Sequence, residues 1–334
     1  MNSDVPGRIL IMAGGTGGHV YPALTVAREL IDAGWQVEWL GTQRGIESRL
    51  VPAAGIRLHC LSIAGLRGKG PLELAKAPFL LVTATVQALR VCLSLRPDCV
   101  LGMGGFASGP GGLAAWLLRR PLVIQEQNAI PGTTNRILAR FAKVVLEGFK
   151  GAFGSTRAHF SGNPVRPEIV AVAPPQKRLV TRESEIRAGA PLRLLVIGGS
   201  LGALALNQVL PQAIALLASE DRPEVWHQTG AAHLEGTLEG YRAAQVEGRV
   251  EPYIDDMAAA YAWADLVLCR AGALTVSELA AAGVASVLVP YPHAIDDHQT
   301  ANARWLVERE AALLVPQAQL DADDLAGRLS RWRQ

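Results

Sequence analysis

The stretch Ile9-Leu10-Ile11-Met12-Ala13-Gly14-Gly15-Thr16-Gly17-Gly18 joins an apolar run to a glycine-rich turn, and the residues from Pro22 to Ala33 beyond it carry a helical pattern. An apolar run of that length fits a strand buried on both faces of a parallel sheet. The same order recurs where Leu194-Leu195-Val196-Ile197 leads into Gly198-Gly199-Ser200-Leu201-Gly202. One such turn alone is weak evidence, but matching strand-turn-helix units predict a chain made of two similar halves. A glycine turn of this kind brings bare N–H groups to a helix N-terminus, where the dipole favours anions, so a phosphate or a sugar is the expected occupant. The dinucleotide fingerprint does not fit, because Gly-x-Gly-x-x-Gly started at Gly15 meets Val20 at its last glycine.

Outward from these turns the strand and helix patterns alternate. Pro22 suits a first helical turn and Gly34 the position just past a helix end. Val37 to Leu40, Cys99 to Leu101, Leu122 to Ile124 and Val144 to Leu146 read as further strands. The pattern lapses after Gly162-Asn163-Pro164-Val165-Arg166 and restarts at Leu192, continuing through Glu224 to Trp226, Leu266 to Cys269 and Ser286 to Val289. The expected fold is therefore α/β, with two doubly wound parallel sheets. The expected domains are residues 1–166, a linker region over 167–191, and residues 192–334. Ligands in such sheets bind at the carboxyl ends of the strands, so the glycine turns, Arg270-Ala271-Gly272 and Tyr291 to His298 are expected to border one cleft.

Composition narrows the function. With 334 residues, 49% hydrophobic and 19% charged, the chain is globular, and a formal net charge of +2 argues against nucleic-acid binding through bulk charge. Cys60, Cys92, Cys99 and Cys269 form no Cys-x-x-Cys pair, which fits reduced thiols in a cytosolic protein. The start Met1-Asn2-Ser3-Asp4-Val5-Pro6 has no basic and apolar leader, so export is not expected. Pro78 to Leu95 resembles a membrane span, but Gln87 and Arg90 interrupt it, and it is read as a core or surface-bound helix. Asp321-Ala322-Asp323 has Asp-x-Asp spacing but reads better as the acidic first turn of a helix, so no metal site and no cofactor are expected.

Several segments together are more specific than fold logic. They are Gly14 to His19 with Pro22-Ala23, Gly102-Met103-Gly104-Gly105-Phe106, Glu126-Gln127-Asn128, Gly162 to Arg166, Gly198 to Ala203, Arg270 to Glu278, and Asp297 to Ala303. This pattern, from about Arg8 to Ala312, resembles the MurG family of peptidoglycan N-acetylglucosaminyltransferases. The resemblance implies a GT-B fold, in which two Rossmann-like domains face each other across a cleft. It also implies inverting transfer of N-acetylglucosamine from UDP-N-acetylglucosamine to lipid I, giving lipid II, at the cytoplasmic face of the inner membrane. The implied partners are the donor, the lipid I acceptor and an anionic membrane surface, with other cell-wall synthesis proteins as further candidates. The chain departs from the family at Phe106, where Tyr is usual, and at Gln125, where His is frequent. Members commonly continue into a C-terminal helix packed across the first domain, and that helix is expected to be lacking before Gln334 or to follow it.

Inverting transfer needs a base for the acceptor hydroxyl and stabilisation of the departing UDP. His19, at the first glycine turn, is the candidate base, with capping of that turn as its alternative role; Glu126 is a second base or a polar orienter. Thr16, Gly17, Gly18 and Asn128 complete the pocket on that side. On the nucleotide side, Ser200 is read as a phosphate donor and Arg166 as a fixed charge for the pyrophosphate or else a solvated linker arginine. Ala273, Leu274 and Thr275, followed by Val276 and Ser277, open a helix towards phosphate or sugar oxygens, and Glu278 is placed to accept from ribose hydroxyls or lies exposed on that helix. Ile254 resembles the position whose backbone reads uracil in that family and would otherwise be read as core, and the resemblance places His298 and Gln299 near the sugar hydroxyls. Basic and apolar residues from Gly65 to Gly70, then Leu72, Leu74, Lys76, Phe79, Leu80 and Leu81, read as a membrane patch or as a core helix with a solvated loop. The rivals are another UDP-sugar enzyme, such as an epimerase, and a noncatalytic nucleotide-sugar-binding regulator or membrane scaffold.

Overall fold

Both glycine turns lie beyond the carboxyl ends of parallel strands. The computed structural model describes residues 7–62, 71–199 and 202–333, the side chains of 71–77, 295 and 333 excepted. The chain divides into two units, Met1–Pro164 and Val165–Gln334. The first contains β1 (Arg8–Met12), β2 (Gln36–Thr42), β3 (Arg57–Leu61), β4 (Cys99–Gly102), β5 (Leu122–Glu126), β6 (Val144–Glu147) and β7 (Ala158–Phe160), in the order β3-β2-β1-β4-β5-β6-β7. The second contains β8 (Arg193–Ile197), β9 (Glu224–Gln228), β10 (Arg249–Glu251), β11 (Leu266–Cys269), β12 (Ala285–Leu288) and β13 (Ala312–Leu314), in the order β10-β9-β8-β11-β12-β13. All pairings are parallel, with Ile9 against Val37 and Cys99 in the first sheet and Leu194 against Val225 and Leu266 in the second. Strand order reverses between β1 and β4 and again between β8 and β11, the points at which such sheets bind ligands beyond the carboxyl ends of their strands.

The cores follow from the strands' apolar runs. Along β1, Leu10 and Met12 pack on one face with Leu40, Val100 and Ile124, while Ile9 and Ile11 pack on the other with Val20, Trp39 and Leu101. The indole of buried Trp39 donates to Ala13 O at 2.8 Å, satisfying its polar atom and anchoring the chain just before the first glycine turn.

The first helix corrects the reading of Pro22. The helix spans Gly17–Asp32, with Pro22 inside it and Thr16, at φ −124 and ψ 162, as its N-cap. His19 and Val20 both donate to Thr16 O at 3.2 Å, so the turn closes ahead of the proline. Pro22 forfeits one bond in the second turn, and His19 lies within the first turn rather than before the helix.

Residues 167–191, read as a linker region, contain the helices Pro167–Val170 and Pro175–Arg187 and belong to the second unit. Arg182 donates to Asp265 through Nε at 2.9 Å and Nη2 at 2.7 Å, and to Pro191 O. Arg178 donates to Ala282 O at 2.6 Å and Gly283 O at 3.0 Å, satisfying carbonyls at the C-terminal end of the helix Ala273–Ala282. The lapse of the alternating pattern suggested a linker here. The guanidinium contacts to Asp265, Ala282 and Gly283 span 83 to 105 residues of sequence, beyond the reach of any local pattern.

The helix Pro71–Leu95 is apolar on more than one face. Ala84, Ala88, Cys92 and Leu95 are buried, whereas Phe79 is 74% exposed, and Val82, Val86 and Leu93 are also exposed. By length and hydropathy, Pro78–Leu95 could cross a membrane, although no other described helix could.

In the second unit, fully buried His227 has Nδ1 3.1 Å from the Tyr241 hydroxyl and Nε2 3.0 Å from Asn207 Oδ1. Burial lowers its pKa to about 3. An unfolded histidine titrates near ~6.5, so below that pH the unfolded chain holds a proton that the folded chain does not. His227 therefore contributes in full above about pH 6.5, and its contribution is lost towards pH 3 at about 1.4 kcal/mol per unit. Urea melts of wild type and His227→Gln across that range should show a shallower acid loss in the variant. Parallel curves would exclude His227 as the cause.

Candidate active site

In the first unit the loops after β1 and β4 meet at the reversal of strand order. Gly104 and Gly105 have φ of +99° and +87°, a region costly for residues with a Cβ. A Cβ on Gly104 would lie 2.5 Å from His19 Cδ2, and one on Gly105 would collide with the Gly14 carbonyl. Only glycine permits this approach, which presses the second loop against the imidazole. Ser108 fastens the pair, donating to Met12 O at 3.0 Å and Gly104 O at 2.8 Å. His19 is half-buried, with Nδ1 3.4 Å from Thr16 Oγ1. Thr16 and Gly18 are exposed and Gly17 is half-buried beside them.

Sequence reasoning missed Glu47. It is fully buried behind the first glycine turn, accepting from Gly15 N at 2.9 Å through Oε2, and from Thr42 N at 3.0 Å and Thr42 Oγ1 at 2.7 Å through Oε1. Gly14 has no room for a Cβ, which would lie 2.6 Å from this carboxylate. An internal anion thus takes the Gly15 N–H that an external phosphate was expected to use. The only local signal was a glutamate following the glycines Gly41 and Gly45.

Glu126 ends β5 and is 2% exposed. Its Oε1 accepts from Asn128 N and Nδ2, each at 3.0 Å, and its Oε2 from Gly132 N at 3.1 Å and Asn135 Nδ2 at 2.9 Å. Of the roles expected for it, this geometry favours the polar orienter over the base. Asn128 is half-buried, as are Ala129 and Ile130 after it. Gln125 is buried and donates to Asn163 Oδ1 at 3.1 Å, so its departure from histidine serves an internal contact to the Gly162-Asn163-Pro164 segment. Phe106 presents an exposed ring next to Gly15.

In the second unit, Gly198 N donates to Gln228 O at 3.1 Å, and Gly202 N to Gly199 O at 2.9 Å. Ser200 and Leu201, between them, lie outside the described residues. The next loop leads from β11 into the helix Ala273–Ala282 with Gly272 as N-cap. Leu274 and Thr275 are half-buried in its first turn and Ala273 is buried. Val276 faces the core and its N–H is spent on Gly272 O at 2.9 Å, which leaves little of it for a ligand. The Ser277 hydroxyl donates to Ala273 O at 2.9 Å.

Arg166 and Glu278, separately assigned from sequence, are brought together. Arg166 Nη2 lies 3.2 Å from Glu278 Oε1, and the Tyr261 hydroxyl donates to Glu278 Oε2 at 3.0 Å. Burial raises the Glu278 pKa, and the Arg166 charge opposes that rise. Tyr261 was not legible as a site residue; it lies within an alanine-rich run. Ile254 is buried. Gln299 Oε1 accepts from Tyr291 N at 2.9 Å, fixing the loop before it, and His298 opens the helix His298–Val307 after Asp296 and Asp297, at φ of 52° and 50°. Asp321 Oδ1 accepts from Asp324 N at 2.8 Å, the geometry of an N-cap. Cavities of about 800 Å³ and 560 Å³ lie on the amino-terminal side of the second sheet, near Glu224 and Arg249 and near Arg193 and Asp265, away from these loops.

Residues 9–147 match the glycosyltransferase family 28 N-terminal domain, and residues 193–334 its C-terminal domain. A UDP-N-acetylglucosamine–N-acetylmuramyl-(pentapeptide) pyrophosphoryl-undecaprenol N-acetylglucosamine transferase of Pseudomonas fluorescens is 57% identical over 323 residues, 96% of this chain and 88% of the relative. The protein of the same name from Cellvibrio japonicus is 58% identical over 325 residues, with 96% and 88% covered. The crystal structure of Acinetobacter baumannii MurG superposes with a TM-score of 0.81 at 43% identity, covering 98% of this chain and 91% of that one.

Proposed function

The chain belongs to glycosyltransferase family 28, and from that premise we propose that it transfers N-acetylglucosamine from UDP-N-acetylglucosamine to the 4-hydroxyl of lipid I, forming lipid II with inversion at the anomeric carbon. The observation that carries this reading is the match over nearly the whole chain to transferases so named. The site geometry supports it, because loops gather beyond the carboxyl ends of the strands at the reversal point of each sheet.

The chemistry divides between the units. His19 serves as the base for the acceptor hydroxyl, held by Thr16 and the Gly104 backbone, while Glu126 orients Asn128. The second unit receives the nucleotide: the Gly198 loop with Ser200 takes the pyrophosphate, Glu278 the ribose and the Ile254 backbone the base. One contact to Glu278 leaves further donors of the five on the Arg166 guanidinium for the departing UDP. Labelled N-acetylglucosamine should pass from the donor to a lipid I analogue. Release of UDP at the same rate without acceptor would contradict the reading.

The acceptor is lipid-tethered, and we place the enzyme at the cytoplasmic membrane surface through the helix Pro71–Leu95. Exposed Phe79, Leu81 and Val82 there, with Trp116 and Phe141, whose rings pair at 5.1 Å, offer apolar area for shallow insertion. Gly65 to Gly70, including Lys69, lie outside the described residues, as do the side chains of Leu72, Leu74 and Lys76. Replacing Phe79 and Val82 by glutamate should weaken sedimentation with anionic vesicles by about tenfold per residue, with transfer to a soluble acceptor analogue retained. Unchanged vesicle binding would remove the patch from the proposal.

A further inference from the structure

Glu278 is held by two protein donors before any ligand arrives. Arg166 Nη2 contacts Oε1 at 3.2 Å and the Tyr261 hydroxyl donates to Oε2 at 3.0 Å. The carboxylate is almost buried, with 13% of its side-chain surface exposed, and Tyr261 is fully buried. An ionised carboxylate offers about four lone-pair directions on its two oxygens. Here each oxygen has one direction taken by the protein, which leaves one acceptor direction on each. Two adjacent acceptors on a rigid carboxylate match two adjacent hydroxyl donors.

We propose that Tyr261 is a positioning residue for donor recognition: with Arg166 it locks the Glu278 carboxylate so that its remaining acceptor directions read the vicinal diol of a ribose. The proposal rests on the reading of Glu278 as the ribose acceptor. Tyr261 touches no substrate. It acts by removing the rotational freedom that Glu278 would otherwise lose on binding, and its own hydroxyl is satisfied by the same bond. The backbone around it is fixed independently, because Arg178 Nη1 donates to Tyr261 O at 2.8 Å. Loss of the hydroxyl therefore leaves the helix Met257–Trp263 in place.

The test is calorimetric titration of the full chain with UDP and with 2′,3′-dideoxy-UDP. Wild type should prefer UDP by about tenfold or more, as expected for hydrogen bonds to a charged acceptor. Tyr261→Phe should lower that preference at least about threefold by weakening UDP alone, and in turnover assays should raise the donor KM at unchanged kcat. Equal weakening of both ligands, or a preference equal to wild type, would overturn the proposal. If Tyr261→Phe does not fold, Arg166→Lys provides the second arm, since a displaced donor on Oε1 should reduce the same preference, and an unreduced preference there overturns the proposal as well. A wild-type protein that binds both ligands equally would instead sink the ribose assignment of Glu278.

Discussion

Replacing His19 by alanine is expected to lower kcat by about 10²- to 10⁴-fold, the range for loss of a general base, while leaving the donor KM within about twofold. The reason lies in what else is available around the first glycine turn. Glu47 and Glu126 are both buried, and each of their oxygens already accepts from backbone or side-chain donors. His19 is half-buried and stands on the first turn of its helix, against Gly104 and Thr16. Steady-state transfer to a lipid I analogue measures the effect, and added imidazole should restore part of the rate to His19→Ala. A variant that turns over like wild type would remove His19 from the mechanism. A variant that is slow and cannot be rescued, with a displaced Gly104 loop, would mark it as a purely packing residue.

Glu126→Ala is expected to destabilise the first unit by about 3–5 kcal/mol, the cost of stripping a buried charge from its partners. Four hydrogen bonds converge on this carboxylate, from Asn128 N, Asn128 Nδ2, Gly132 N and Asn135 Nδ2. Alanine leaves those donors facing a cavity. For a domain of this size the loss corresponds to a fall in Tm of about 10 °C, readable by calorimetry. Glu126→Gln keeps the shape and one acceptor, so it should fold with a smaller loss and retain measurable transfer. A stable Glu126→Gln protein with no transfer at all would return Glu126 to the role of base. A Glu126→Ala protein that melts like wild type would show that the loop does not depend on the carboxylate.

The strands were readable because burial on both faces of a parallel sheet demands continuous apolar runs, such as Ile9 to Met12 and Leu194 to Ile197. β3, with its sequence Arg-Leu-His-Cys-Leu, was not, because an outer strand with one wetter face mixes polar residues into the run. Pro22 misled the start of the first helix, since proline favours a first turn in general but is tolerated in the second when Thr16 closes the turn ahead of it. The candidate residues at loop ends were legible as types: glycines, a histidine, an arginine and acids at the carboxyl edges of strands. Their partners were not. Nothing near Glu278 in sequence points to Arg166, 112 residues away, or to the Tyr261 hydroxyl.

From sequence alone, the chain is two parallel-sheet units with glycine turns after their first strands, and its motif pattern places it among N-acetylglucosaminyltransferases. The fold follows from short-range physics, namely strand length, hydrophobic period and turn chemistry, whereas the transferase reading is what the resemblance of the motifs implies. Only the tertiary structure decided how the turns differ. It put the buried carboxylate of Glu47 behind the Gly14 turn, bonded to Gly15 N, and pressed Gly104 against His19. It also paired Arg166 with Glu278 in the second unit. Hydrogen bonds and ion pairs act over a few ångströms whatever the separation along the chain, so which groups meet is settled by folding.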